Sequence, residues 1–187
     1  MCEMKKTAII FLSILAFAGI FSSCIKEGYS NNSVSFQCKY GFLEPSDGEG
    51  PVYTCRLVMS TSDSLDFKRP VRIKEYGNFV CVDINSSLKD SLLAGTYKVG
   101  TTDERKAMTW NIGMLRDTTV TGTYSVICDG YQAMYYTMES GDVTVSYDNG
   151  TCRVSAVMHI GNTTFSSNFS GVLTKVVPKE EEEPEVE

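Results

Sequence analysis

Histidine is all but missing from this 187-residue chain: His159 is the only one. Most zinc sites and every histidine-based catalytic triad would therefore have to pass through one side chain. Tryptophan is equally scarce, with Trp110 alone. Basic charge is in deficit, 17 Lys+Arg against 23 Asp+Glu for a formal −6, which excludes nucleic acid as a natural partner because phosphate binding needs a basic surface. Phosphate-cradling glycine loops, a Gly-x-Ser-x-Gly elbow and Cys-x-x-Cys or Cys-x-x-His spacings are all absent. No stretch of the body sustains a helical period. What is present is a chain 42% hydrophobic, enough for a real core and the right length for one domain.

The one long apolar run lies at the N-terminus. Lys5 and Lys6 precede Thr7 to Phe21, and small residues and a cysteine follow at once. The run is short for the roughly 20 residues of a spanning helix and reads as a secretory signal peptide over 1–23. Phe21-Ser22-Ser23-Cys24 resembles the lipobox of bacterial lipoproteins, with Phe21 in place of the usual Leu. The resemblance implies acylation of Cys24, and two or more acyl chains hold a protein stably on a membrane. Residues 24–32 then form a lipidated tether, in which Lys26-Glu27 is similar to a weak form of the charged signal on surface-exported lipoproteins of Bacteroidetes. Without residues 1–23 the chain has 15 basic and 22 acidic residues. One of those lysines and six of the glutamates sit in the tail, so the body is nearly neutral. Residues 178–187 read as a disordered acidic end.

Between residues 33 and 177 the pattern alternates with period two. Val34, Phe36 and Cys38 alternate with polar neighbours; so do Tyr53, Cys55, Leu57 and Met59. Val143, Val145 and Tyr147 lead into Asp148-Asn149-Gly150, a hairpin turn, and Cys152, Val154, Ala156 and Met158 return from it. With Phe165, Ser167 and Phe169 these predict a C-terminal meander of three strands. Further strands are expected at 71–74, 79–84, 96–99, 109–112, 123–128 and 132–138, with one helical turn over 86–94. Nine or ten short strands predict an all-β domain, an antiparallel β-sandwich or a partly closed barrel.

The lipobox, Ala94-Gly95-Thr96-Tyr97, Gly122-Thr123-Tyr124 and the Gly141-Asp142-Val143-Thr144-Val145-Ser146 meander resemble small β-sandwich lipoproteins of gut Bacteroidetes, distantly fimbrillin-like. That resemblance implies a β-sandwich in the cell envelope and supplies no catalytic residues; with lipid on Cys24 the expected place is the outer membrane, facing the cell surface, with the periplasmic face as the alternative. The resemblance also makes Asp63-Ser64-Leu65, Asp90-Ser91-Leu92 and Asp117-Thr118-Thr119 candidate O-glycosylation acceptors at Ser64, Ser91 and Thr118.

Five cysteines remain besides Cys2 and Cys24: Cys38, Cys55, Cys81, Cys128 and Cys152. An odd number cannot all pair; Cys38 with Cys55 is the disulfide candidate, and buried thiols on apolar strand faces are the competing reading. His159 ends a strand beside a turn, which suits a surface histidine better than a catalytic base. Asp83, Glu75 and Glu139 could supply paired carboxylates, as in any sequence rich in acids. Trp110, Tyr135 and Tyr136 are the candidate ligand contacts, because exposed rings stack on sugars or grip a protein partner, and core packing is the alternative. The sequence thus predicts a non-catalytic binding or scaffold module, without metal or cofactor, held on the membrane through Cys24. A glycan-binding accessory of polysaccharide uptake and a fimbrial anchor subunit are the alternatives.

Overall fold

The computed structural model describes residues 32–46, 48–100 and 105–177. The expected signal peptide over 1–23, Cys24, most of the expected tether over 24–32 and the acidic tail over 178–187 lie outside the described residues. Sixteen strands follow one another: β1 (Ser33–Cys38), β2 (Tyr40–Glu44), β3 (Tyr53–Ser60), β4 (Leu65–Asp66), β5 (Arg72–Ile73), β6 (Tyr76–Ser86), β7 (Gly95–Val99), β8 (Thr109–Trp110), β9 (Met114–Arg116), β10 (Thr119–Thr121), β11 (Tyr124–Asp129), β12 (Ala133–Thr137), β13 (Ser140–Asp148), β14 (Thr151–Ile160), β15 (Thr163–Gly171) and β16 (Thr174–Lys175). The all-β class is as the alternation predicts, and β13–β14–β15 is the expected meander. Asn149 and Gly150 close its first turn at φ 48° and 81°, the left-handed pair that a two-residue hairpin turn requires.

Twelve strands make one sheet, ordered β1-β15-β14-β13-β7-β8-β6-β3-β2-β16, with β11 and β12 branching from β6. The path bends at β8, where Trp110 pairs with Val99 on one side and Ile84 on the other. The sheet thereby folds into two facing layers: β1, β15, β14, β13 and β7 form layer A, and β16, β2, β3, β6, β11 and β12 form layer B. Between them lies the main core, with Phe36, Val154, Met158 and Phe165 from A against Leu43, Leu57, Val82 and Ile84 from B. The layers approach so closely that a Cβ on Gly41 would lie 2.6 Å from the Phe169 ring. The barrel stays open.

Most pairings are antiparallel, as expected, and the sheet is mixed. β1 with β15, β7 with β8 and β16 with β2 run parallel. For β16 and β2 the cause is that strands cross between layers with almost no loop. β1 passes into β2 at Lys39, β12 into β13 at Met138–Glu139, and β15 into β16 at Val172–Leu173. Because β1 and β15 are already parallel, their continuations β2 and β16 meet parallel too. The surplus of strands over nine or ten comes from β2 and from two- and three-residue pairings, too short to show a period. The expected helical turn at 86–94 is not formed; Leu92 instead drops into the core from a bend.

β3 and β6 are buried on both faces, which explains the continuous apolar run Phe79-Val80-Cys81-Val82. On the outer face of layer B a second core gathers Val58, Phe79, Cys81, Tyr124 and Val126 under Leu65 and Val71 of the 61–75 arm and Val120 of the β9–β10 hairpin. The Val71 N–H donates to Tyr124 Oη at 2.8 Å, pinning the arm.

Candidate functional site

The open edge of layer B is β12. It pairs with β11 alone, and among the described residues no strand pairs with its other side. The Met138 N–H donates to Thr123 O at 2.9 Å, so the hydrogen-bonded pairs continue as Tyr136 with Ser125 and Met134 with Ile127. Antiparallel alternation then aims the main-chain groups of Ala133 and Tyr135 outward, away from β11. From Tyr131 to Met138 the chain reads Tyr-Gln-Ala-Met-Tyr-Tyr-Thr-Met, without charge, proline or glycine. Tyr131 is wholly exposed, Tyr76 73%, Met134 42% and Tyr135 36%. An uncharged strand with apolar side chains along it, and no described strand on its outer side, is the arrangement that native sheets ordinarily guard against.

The three candidate ligand contacts separate. Trp110 is corrected: it is fully buried at the junction of the layers, with its indole N–H donating to Gly141 O at 3.3 Å, so it offers no face to a ligand. Alternation turns Tyr136 inward, its ring 4.9 Å from that of Phe165, and Tyr135 outward, 6.1 Å from Tyr124. Tyr135 stands on the open edge. Tyr76 and Met134 were not foreseen, because their exposure follows from how far β6, β11 and β12 reach past layer A.

His159 is half-buried on β14, with Nδ1 3.1 Å from Thr164 Oγ1 across the strand pair. Glu139 is engaged nearby, accepting from the Gly161 N–H at 3.1 Å. The N-terminal segment enters at this same end, where the Thr164 N–H donates to Asn32 O at 3.0 Å.

Asp83 belongs to a row across layer B that sequence reading did not assemble. Cross-strand register places Glu44 beside Arg56 and Arg56 beside Asp83. Arg56 Nε donates to Asp83 at 3.1 Å and Nη1 to Glu44 at 3.4 Å, while Arg69 reaches Glu44 at 3.0 Å. Burial raises the Asp83 carboxyl above its ordinary value, with Arg56 opposing the rise. The two acids flank a guanidinium, which makes the row an ion-paired lid on the second core. The signal was available only in part: alternation puts Arg56 on the face opposite Cys55 and Leu57, but its partners lie far away in the chain.

The outer face of layer A is flat and polar. One row crosses five strands as Gln37, Asn168, Ser155, Thr144 and Thr96, and the Thr144 and Thr96 hydroxyls meet at 3.1 Å. A shallow depression of about 370 Å³ lies over it, with Arg153 at its border held by Asp148 at 2.9 Å.

All five described cysteines are buried free thiols, and the proposed Cys38–Cys55 disulfide is not formed: the Cys55 thiol donates instead to Lys89 O at 3.2 Å. Desolvation pushes the Cys38 and Cys81 thiols up to about 12, so they stay protonated and poor as nucleophiles or metal ligands. The acceptor candidates all lie outside strands. Ser64 precedes β4, Ser91 sits in the bend before β7, and both are half-buried beside buried Leu65 and Leu92. Thr118 is exposed in the two-residue β9–β10 turn, the most open of the three.

No protein-family model, curated protein or solved structure matches the chain.

Proposed function

We propose that the protein is a non-catalytic module of the bacterial cell envelope, anchored in the outer membrane through lipid on Cys24, that binds or scaffolds another macromolecule at the cell surface. The observation that carries this reading is the β12 edge: outward main-chain groups flanked by Tyr131, Met134 and Tyr135, on a segment that itself carries no charge. The entry of the chain at Asn32 supports it further. The segment from Cys24 to Asn32 spans at most about 28 Å fully extended, so a lipid there would keep the domain close to the bilayer.

A glycan-binding accessory is the competing reading. Burial of Trp110 takes away its best stacking ring and leaves Tyr131 and Tyr135, on an edge whose main-chain groups suit a polypeptide. Protease shaving of intact cells tests the placement, with an antibody against residues 150–177 as readout. Loss of signal without lysis is the expected result. Protection until lysis overturns the surface reading and gives the domain a periplasmic role.

A further inference from the structure

We propose that the partner taken by the β12 edge is a second copy of this chain, paired antiparallel about Met134. The proposal rests on the reading of β12 as the binding edge and names its occupant. In this register Met134 lies opposite Met134 of the second copy, and Ala133 lies opposite Tyr135 in both directions. Ala133 and Tyr135 are the residues whose N–H and C=O groups point outward, so the two copies exchange main-chain hydrogen bonds there.

The side chains fit the same register. The bulky Tyr135 ring faces the methyl group of Ala133, small against large on both sides of the axis. The wholly exposed Tyr131 comes beside Thr137 of the second copy. The segment Tyr131–Met138 carries no charge, so a two-fold pairing places no like charges opposite one another, the commonest obstacle to self-association of an edge. The other long edge, β1, is bent into the second layer at Lys39 and carries that lysine. The two-fold axis of a β12 pair is normal to layer B. Layer A of both copies then lies on one side, and so does Asn32 of each copy, bonded to Thr164 of layer A. A pair of this kind leaves both tethers on one face, as anchorage in one membrane demands. The contact is short, and confinement to a surface raises the effective concentration that a short contact needs.

Opposed residues of a non-hydrogen-bonded antiparallel pair have Cα atoms about 4.5 Å apart, within disulfide reach. The test is full-length Met134→Cys in native membranes, treated with mild oxidant and run on a non-reducing gel, with Val157→Cys on the exposed outer face of layer A as the collision control. A covalent dimer from Met134→Cys and none from Val157→Cys is expected. Adding Ala133→Pro, which deletes an outward N–H that β11 does not use, should cut the dimer at least about tenfold while thermal unfolding stays cooperative. Absence of the dimer, equal dimer from Val157→Cys, insensitivity to Ala133→Pro, or cross-linking to a different protein each overturns the second copy as occupant. Shaving reports location whatever the cross-link does, so failure of the dimer and failure of the surface reading are told apart.

Discussion

Replacing Trp110 by Ala separates a core residue from a ligand contact with a single measurement. The indole is fully buried at the bend where β7, β8 and β6 meet, and its N–H is bonded to Gly141 O at 3.3 Å. Truncating a buried Trp to Ala costs about 3–5 kcal/mol through lost contacts and the cavity left behind. The unpaired Gly141 carbonyl adds about 1 kcal/mol, which places the total near the upper end of that range. At about 3–4 °C per kcal/mol for a domain of this size, the expected fall in Tm is about 12–20 °C. Trp110→Phe keeps most of the ring and should lose about 1–2 kcal/mol. Thermal unfolding followed by circular dichroism reads both variants. Because Trp110 is the only tryptophan, fluorescence of the unaltered protein gives a second, independent reading: emission of a shielded indole, unquenched by iodide and unmoved by carbohydrates. The reasoning is refuted if Trp110→Ala melts within about 2 °C of the parent, or if iodide quenches the native emission.

Arg56→Leu leaves Glu44 and Asp83 buried without their shared guanidinium, and should destabilise by about 3–5 kcal/mol at neutral pH. Burial already raises Asp83, and without Arg56 it rises further. The penalty on its charged form is therefore present above that raised value and relieved as pH falls through it, so urea midpoints of variant and parent should converge toward acid. Gly141→Ala should fail to reach the native fold or lose several kcal/mol by urea unfolding, since φ is 121° and a Cβ would lie 2.2 Å from Val157 O. A polar thiol reagent at neutral pH should leave Cys38, Cys55, Cys81, Cys128 and Cys152 unmodified in the native protein and label all five in denaturant, as read by mass spectrometry.

How far the chain could be read differs from element to element. β14 alternates without fault from Cys152 to Ile160 because one face meets the core and the other meets solvent, and there the sequence states its strand, its faces and its turn. β6 hides its faces because both are covered, so only its length and β-branched content mark it. The layer crossings leave almost no trace. Lys39 between Cys38 and Tyr40 looks like one more polar residue in an alternating strand, and nothing local says that the sheet changes there. Trp110 misled for a related reason. A lone tryptophan in a two-residue strand has no period around it, and its burial depends on Val99 and Ile84, which reach it from distant positions. At the candidate edge, alternation says that one of Tyr135 and Tyr136 faces out and the other in, but not which; the packing of Tyr136 on Phe165 decides it. That β12 ends the sheet is a property of the strand order, which pattern does not carry.

The crossings also bear on how the protein could join an assembly. A subunit that polymerises by exchanging a strand must give one up, and the first strand, β1, is the natural candidate. Here β1 continues into β2. Pulling it out would remove Phe36 and Cys38 from layer A, then Leu43 and Glu44 from layer B, along with the pairings to β15, β3 and β16. Exposing Phe36 and Leu43 alone costs about 3–6 kcal/mol. Baring Glu44 also breaks the row that neutralises Asp83 through Arg56. Losses of that size approach the whole stability of a domain, about 5–15 kcal/mol. The same holds for β12, which runs on into the centre of the meander through β13. Among the described residues no strand has to leave for another to be added beside β12, whereas the crossing strands can leave only at that cost. That asymmetry suits the proposed role of a component that receives a neighbour at its edge, and is unsuited to a link that is threaded into a chain.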